Sequence, residues 1–346
     1  MERRDFLKSA TAAGVAAAAS SVRLVAQSTG TPSRSASPVT RPEAPGMVYR
    51  ELGTTGERVS AIGMGGYHLA KDPLSTQDEI VRLVHTAMDR GITFFDNSWD
   101  YNDGISEVRL GKALKDGRRD KAFVMTKIDG RTKMSYKKQL EESMGRLGVD
   151  HVDLVQFHEC IRLEDPDRIF ADDGAIHAAI EARQAGKIRY IGFTGHKDPA
   201  VHLRMFEMAE KHNFKFDTVQ MPVNVMDAHF RSFTKEVIPV AQKAGTGVLA
   251  MKTFGDDFIL RTKTFQPIEA LHYGLSQPVS VVITGIENHT ILDQSLEAAR
   301  TFKPMSAEAQ ASLLARTRDI ALTGKSELFK TSSHFDSTAQ NPKWLG

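Results

Sequence analysis

Cysteine is nearly absent from this chain. Cys160 stands alone among 346 residues, which excludes an internal disulfide and any cysteine-built metal cluster. An excess of one charge is lacking too. The 45 Lys and Arg against 43 Asp and Glu leave a formal net charge of +2, which offers no footprint for nucleic acid or acidic lipid. No apolar run in the body of the chain reaches the roughly 18 residues that a membrane-spanning helix needs. The G-x-G-x-x-G fingerprint of an open dinucleotide-binding sheet is also missing, because Gly63-Met64-Gly65-Gly66 is followed by Tyr67 and His68. What is present is the composition of a large globular domain, 41% hydrophobic and 25% charged.

The N-terminus stands apart. Arg3-Arg4-Asp5-Phe6-Leu7-Lys8 precedes a weakly hydrophobic, Ala-rich stretch over 9–20, with Leu24-Val25-Ala26 as a small-residue cleavage site. This pattern resembles a bacterial twin-arginine (Tat) signal peptide over 1–26. The resemblance implies export to the periplasm, the Tat translocon as a transient partner, and no stable membrane anchor. Tat signals serve proteins exported folded, often with a cofactor already bound. Residues 27–46 are rich in Ser, Thr, Pro and Arg without periodicity and read as a disordered tether. The folded domain is expected over 47–322, followed by a polar tail over 323–346 that carries no readable signal.

Two short β-prone runs around Gly53-Thr54-Thr55-Gly56 read as a hairpin. Eight strand candidates follow, at 62–65, 93–96, 123–127, 154–158, 190–194, 218–221, 247–251 and 279–284. Helical patterns alternate with them, at 76–90, 106–115, 135–147, 175–185, 201–212, 235–244, 267–276 and 290–299. Gly91, Gly148, Gly186 and Gly245 stop four of these helices. Strict alternation predicts an α/β fold, a (β/α)8 TIM barrel with an N-terminal β-hairpin and a C-terminal helical extension at 306–322.

In such a barrel, Asp96, Lys127 and His158 fall at the C-terminal ends of three successive strands, with Tyr101 on the loop after the first of them. Adjacent strands lie roughly 5 Å apart, so the four side chains can converge. A free phenol titrates at about 10 and a lysine at about 10.4. Lys127, held charged by Asp96, is expected to lower the pKa of Tyr101 and let it protonate a carbonyl oxygen as hydride reaches the carbon. A neutral His158 is expected to donate a second hydrogen bond to that oxygen.

These motifs resemble those of the aldo-keto reductase family. The resemblance rests on Gly91 to Tyr101 (GITFFDNSWDY) with Leu110-Gly111-Lys112-Ala113-Leu114, on Leu147 to Leu154 running into His158, and on Gly186 to Gly192. Leu52-Gly53, Thr55-Gly56 and Val59-Ser60 match as well, so that it covers roughly 47–299. It implies that Asp96, Tyr101, Lys127 and His158 form the catalytic tetrad of an oxidoreductase using NADP(H) or NAD(H). The implied substrate is a small carbonyl compound or sugar, and no metal is expected.

Cofactor contacts carried over are Gly65, Gly66 and Tyr67 near the nicotinamide ribose, with Thr194, His196 and Gln220 on the nicotinamide amide. Met251 would pack on the ring and Lys252 would meet a phosphate. Gly285, Glu287, Gln294 and Ser295 fall at the adenine end. Gly195 replaces the family's Asn, and Glu287 and Asp293 stand where basic residues grip a 2′-phosphate in NADP-preferring relatives. Trp99 and Phe254 are candidate substrate-pocket walls, and Cys160 reads as a small strand-end residue without a redox role. Two other readings are a nicotinamide-binding sensor with little turnover and a barrel hydrolase. The hydrolase would need paired carboxylates, for which Asp96 has only Glu159.

Overall fold

Residues two apart along a strand share a face, and in this protein that rule separates chemistry from packing. The computed structural model describes residues 37–72 and 75–346. The signal segment expected over 1–26, and the tether over 27–36, lie outside the described residues.

Strands β1 (Tyr49–Glu51) and β2 (Arg58–Ser60) form an antiparallel hairpin in the register Tyr49 to Ser60. The other eight are β3 (Ile62–Gly65), β4 (Phe94–Asp96), β5 (Phe123–Ile128), β6 (Val152–Phe157), β7 (Ile188–Thr194), β8 (Thr218–Pro222), β9 (Gly247–Met251) and β10 (Val281–Gly285). All pair in parallel with their neighbours, and β10 closes on β3 to complete the barrel predicted from the alternation.

Alternate residues fill the lumen. Phe94, Phe123, Met125, Leu154, Tyr190, Leu249, Val281 and Ile283 form one buried cluster with Leu52 and Val59 of the hairpin. The Phe94 and Phe123 rings stack at 5.2 Å. The intervening residues, such as Phe95, Val124, Val155, Ile191 and Val219, join a separate cluster with the helices. Two or four residues beyond the lumen aromatics, at the strand ends, the same inward face carries Asp96, Lys127 and Thr194.

The enclosing helices are α1 (Gln77–Asp89), α2 (Ile105–Ala113), α3 (Lys133–Leu147), α4 (Asp165–Ile169), α5 (Ala175–Gln184), α6 (Pro199–Lys211), α7 (Phe233–Glu236), α8 (Ile238–Ala244), α9 (Pro267–Ser276) and α10 (His289–Thr301). A capping box of Thr76 and Glu79 starts α1, and left-handed Gly148 ends α3. The helix expected over 235–244 is two pieces, broken at Val237, with Pro239 in the first turn of α8.

The end of the expected tether is part of the fold. Arg41 is buried, pairs with Glu57 at 2.6 Å and Asp153 at 2.8 Å, and lies over the Phe123 ring. Arg189 joins Glu57 and Asp153 and also donates to the Ser37 carbonyl. The ordered body therefore begins before Met47, because a guanidinium at 41 closes the floor of the barrel over two buried carboxylates.

The tail departs from its polar reading more sharply. After α11 (Ala307–Ala321) come α12 (Leu328–Thr331) and α13 (Ser337–Gln340), and the chain returns to the mouth of the barrel. Lys330 is wholly buried between Asp227 and Glu327, at 2.8 and 3.0 Å.

Candidate active site

Asp96 ends β4, Lys127 is next to last in β5, and His158 directly follows β6, so all three emerge on one rim. Tyr101 opens the turn after β4. The Lys127 ammonium donates to Asp96 Oδ1 at 2.5 Å, to the Asn97 carbonyl at 2.7 Å and to Tyr101 Oη at 3.0 Å. All three of its protons are thereby committed, and the phenol proton of Tyr101 stays free for a ligand. Gln220 reaches the other Asp96 oxygen at 3.1 Å.

The net electrostatics differ from the sequence expectation. Despite the Lys127 hydrogen bond, the pKa of Tyr101 is not lowered overall. Burial raises it well above the usual phenol value, and Asp96, Asp100, Glu159 and Asp129 all push the same way. The pKa of His158 is raised as well. Burial opposes its charge, yet Asp100 and Asp129 outweigh burial and raise its pKa. Neither aspartate was singled out in the sequence; their proximity comes from the pairing of β4, β5 and β6.

The tetrad floors a cavity of ≈ 450 Å³. Gly65, Gly66 and Tyr67 line it from the β3 loop, with Thr194, His196 and Gln220 from β7 and β8. Met251, Lys252 and Phe254 follow from the β9 loop, and Gly285, Glu287 and Gln294 from β10 onward. Two expected residues are not in this lining. Ser295 is buried and turns its hydroxyl onto the Ile291 carbonyl of its own helix. Trp99 donates to Glu142 and packs edge-on against Trp344, and it is Trp344 that lines the cavity.

Gly195 has a steric cause, since a Cβ there would lie 2.1 Å from the Cys160 carbonyl oxygen. His196 is held by Asp336 at 3.0 Å, and burial lowers its pKa. Cys160 is buried, and burial pushes its thiol up to about 12, which keeps it protonated and inert. Lys252 has a left-handed backbone, φ 58°, and its ammonium lies 4.5 Å from the Phe335 ring centre. Among the described residues no carboxylate pairs with it within 4 Å, and burial pulls its pKa down to about 8.

The lining suits a nicotinamide dinucleotide. Gln220 Oε1, Thr253 Oγ1 and Thr284 Oγ1 are buried without a partner among the described residues, and all three residues face the cavity. Orphaned polar atoms of this kind match the amide and hydroxyl groups of such a ligand. At the far end, Lys71 is bound to Asp256, and Asp257 and Glu287 add negative charge.

The tail supplies His334, Phe335, Ser337, Gln340 and Trp344, which sequence reasoning missed. Glu159 pins it there, accepting from Ser337 N and Oγ at 3.0 and 2.8 Å and from Thr338 N and Oγ1 at 2.8 and 2.7 Å. Leu345 accepts from Arg131 N at 2.8 Å.

Comparison with known proteins places these features in context. The family described as "Aldo/keto reductase family" matches residues 61–270, more than half of the chain. L-galactose dehydrogenase of Arabidopsis thaliana is 38% identical over 157 residues, 42% of this chain and 48% of that protein. Aldo-keto reductase YhdN of Bacillus subtilis is 28% identical over 213 residues, 57% of this chain and 59% of that protein. The chain thus spans about half to two thirds of the curated relatives it matches. Among solved structures, aldo-keto reductase AKR11C1 from Bacillus halodurans in its holo form superposes with a TM-score of 0.66. It is 23% identical, with 81% of this chain and 99% of that one covered. The thermostable aldo-keto reductase Tm1743, in complex with the inhibitor epalrestat, gives a TM-score of 0.63 at 26% identity, with 78% and 100% covered.

Proposed function

The chain belongs to the aldo/keto reductase family, and from that premise we propose that it interconverts carbonyl and alcohol groups with a nicotinamide dinucleotide. The observation that carries this reading is the saturated Lys127 ammonium, which leaves the phenol proton of Tyr101 as the free donor at the cavity floor. A nicotinamide cofactor held by this lining would supply or accept hydride at the substrate carbon. Tyr101 is the general acid, giving its proton to the carbonyl oxygen, and Lys127 stabilises the phenolate that remains. Asp96 holds Lys127 in place, and His158 directs its Nε2 at the same oxygen. Gln220 and Thr194 orient the nicotinamide amide, and Lys252 meets an anionic group of the cofactor.

Local charge favours NAD(H) over NADP(H). Lys71 is neutralised by Asp256, while Asp257 and Glu287 would repel a 2′-phosphate. The substrate side mixes Trp344 with Asp100, Asn102 and Gln340, a polar surface beside an aromatic platform that suits a hydroxylated aldehyde or sugar. The partial likeness to an L-galactose dehydrogenase points the same way. We further propose that residues 1–26 direct Tat export and that the cofactor travels bound.

The test is a spectrophotometric screen of NADH and NADPH against aldehydes, ketones and aldoses. Turnover that is faster with NADH is expected; no oxidation with any carbonyl would refute the reading. Protein recovered from the periplasm should carry nicotinamide detectable by mass, and empty protein would remove the carried-cofactor proposal.

A further inference from the structure

The polar environment of His158 has an asymmetry that the reaction alone does not require. Its Nδ1 lies 2.9 Å from Asp129 Oδ1, 3.3 Å from Asp100 Oδ1 and 3.2 Å from Ser98 Oγ. The Ser98 hydroxyl donates to Asp100 Oδ1 at 2.6 Å, so it turns a lone pair toward the ring. All three neighbours of Nδ1 are therefore acceptors, and Nδ1 carries hydrogen. Nε2 has no partner among the described residues and belongs to a ring that lines the cavity.

Asp129 has nowhere else to place its charge. It is fully buried, and its Oδ2 has no hydrogen-bond partner among the described residues. Arg131 lies close but donates to the Asp129 backbone carbonyl, at 2.6 Å, and commits its Nε to Asp165. Lys127 belongs to Asp96. Glu159 adds a third carboxylate beside the imidazole, and Tyr101 presents its ring at 5.8 Å. A neutral imidazole would leave Asp100 and Asp129 facing each other across it with only the Arg131 charge nearby and no cation bonded to either, a costly arrangement away from water.

We propose that Asp129, supported by Asp100, is a positioning residue that keeps His158 as an imidazolium, so that the substrate oxygen meets a cationic donor beside the phenol of Tyr101. The pKa directions agree. Asp129 is pushed up to about 6 by burial and by Asp100, and His158 is raised despite its burial. The consequence for Tyr101 is direct. Four carboxylates make its proton harder to release, and Lys127 is already neutralised by Asp96. A cation at His158 Nε2 stabilises the developing oxyanion and offsets that field. The inference rests on the carbonyl-reductase reading for its catalytic meaning, but not for the protonation state itself.

The test uses Asp129→Asn in the full-length protein and nitrogen NMR of the histidine rings, with His158 assigned by its loss in His158→Gln. In the unaltered protein both His158 nitrogens should be protonated at pH 7.5. In Asp129→Asn the ring should titrate lower by about one pH unit or more. In carbonyl reduction, kcat of Asp129→Asn should fall about tenfold at pH 8 and recover most of that loss at pH 6, with KM for the cofactor unchanged. A neutral His158 at pH 7.5 in the unaltered protein would overturn the proposal even if the variant does not fold. So would a stoichiometric divalent metal held by Asp100, Asp129 and His158, since a metal on Nδ1 would displace its hydrogen. A charged His158 in a protein that reduces no carbonyl would leave the protonation assignment standing and refute the functional reading instead.

Discussion

Replacing Glu159 by Gln should free the tail from the mouth of the barrel without unfolding the barrel. Glu159 accepts from Ser337 N, Thr338 N and Thr338 Oγ1, and shares the Ser337 hydroxyl with Asp100. Burial opposes its charge, but His158, His196 and the Thr338 donors prevail and hold it down to about 2, against an ordinary 4.5. His158 and His196 lead that lowering, so the share of the tail is better taken from the bonds themselves, about 1.5–3 kcal/mol for a hydrogen bond to a charged group. Glutamine keeps the size but offers one acceptor atom in place of two, and its NH2 group faces hydrogens. The latch should therefore weaken by about 3 kcal/mol, roughly a hundredfold in the closed-to-open ratio. Asp336 still binds His196 and Lys197, and Arg131 still binds Leu345, so the release is local. Hydrogen exchange read by mass spectrometry should show about a hundredfold loss of protection at 333–341 and none in the barrel strands. Because the folded pKa is depressed, the latch is at full strength above about pH 4.5 and is lost as pH falls through 2. Unchanged exchange at 333–341, or a uniform increase across the barrel, would refute the reasoning.

Tyr101→Phe should lower kcat by about 10²–10⁴-fold while cofactor binding, followed by fluorescence titration, changes little. Lys127→Met should abolish turnover and also destabilise the fold by about 3–5 kcal/mol in urea denaturation, because Asp96 is left buried without its cation. Burial pushes Glu327 up to about 7 against the opposing pull of Lys330, so the stability it contributes is complete below about 4.5 and lost as pH rises through 7. Glu327→Gln should accordingly flatten the dependence of Tm on pH between 5 and 8, by up to about 3 kcal/mol. Arg41→Ala should cost about 3 kcal/mol by the same measure, since Glu57 and Asp153 would share only Arg189 and Arg119.

The barrel was legible because its signal is local. Each barrel strand is a short apolar run, and three successive ones carry a polar residue at or beside their ends, as Asp96 does after Phe94-Phe95. The tetrad was legible for the same reason, since each member has a fixed place relative to a strand end. The charge balance around it was not. Asp129 and Asp100 reach His158 only through the pairing of three strands, and nothing in their neighbours announces it. The tail was illegible for a related reason. Ser337, Thr338 and Trp344 read as an ordinary polar terminus until Glu159, some 178 residues away from Ser337, is placed beneath them. Arg41 looked like part of a disordered tether because its partners, Glu57 and Asp153, are brought to it by the barrel floor.

That floor also gives the molecule a handedness for attachment. Ser37, the first described residue, lies against Arg189 at the start of β7, and the Gly346 carbonyl meets Arg168 near the rim that holds the site. Ser37 and Gly346 therefore lie at opposite poles of the barrel. A bead or dye attached at Ser37 itself would sit at the sealed pole and leave the cavity open to solution. The same cargo joined after Gly346 would crowd the entrance and pull on the segment that covers it.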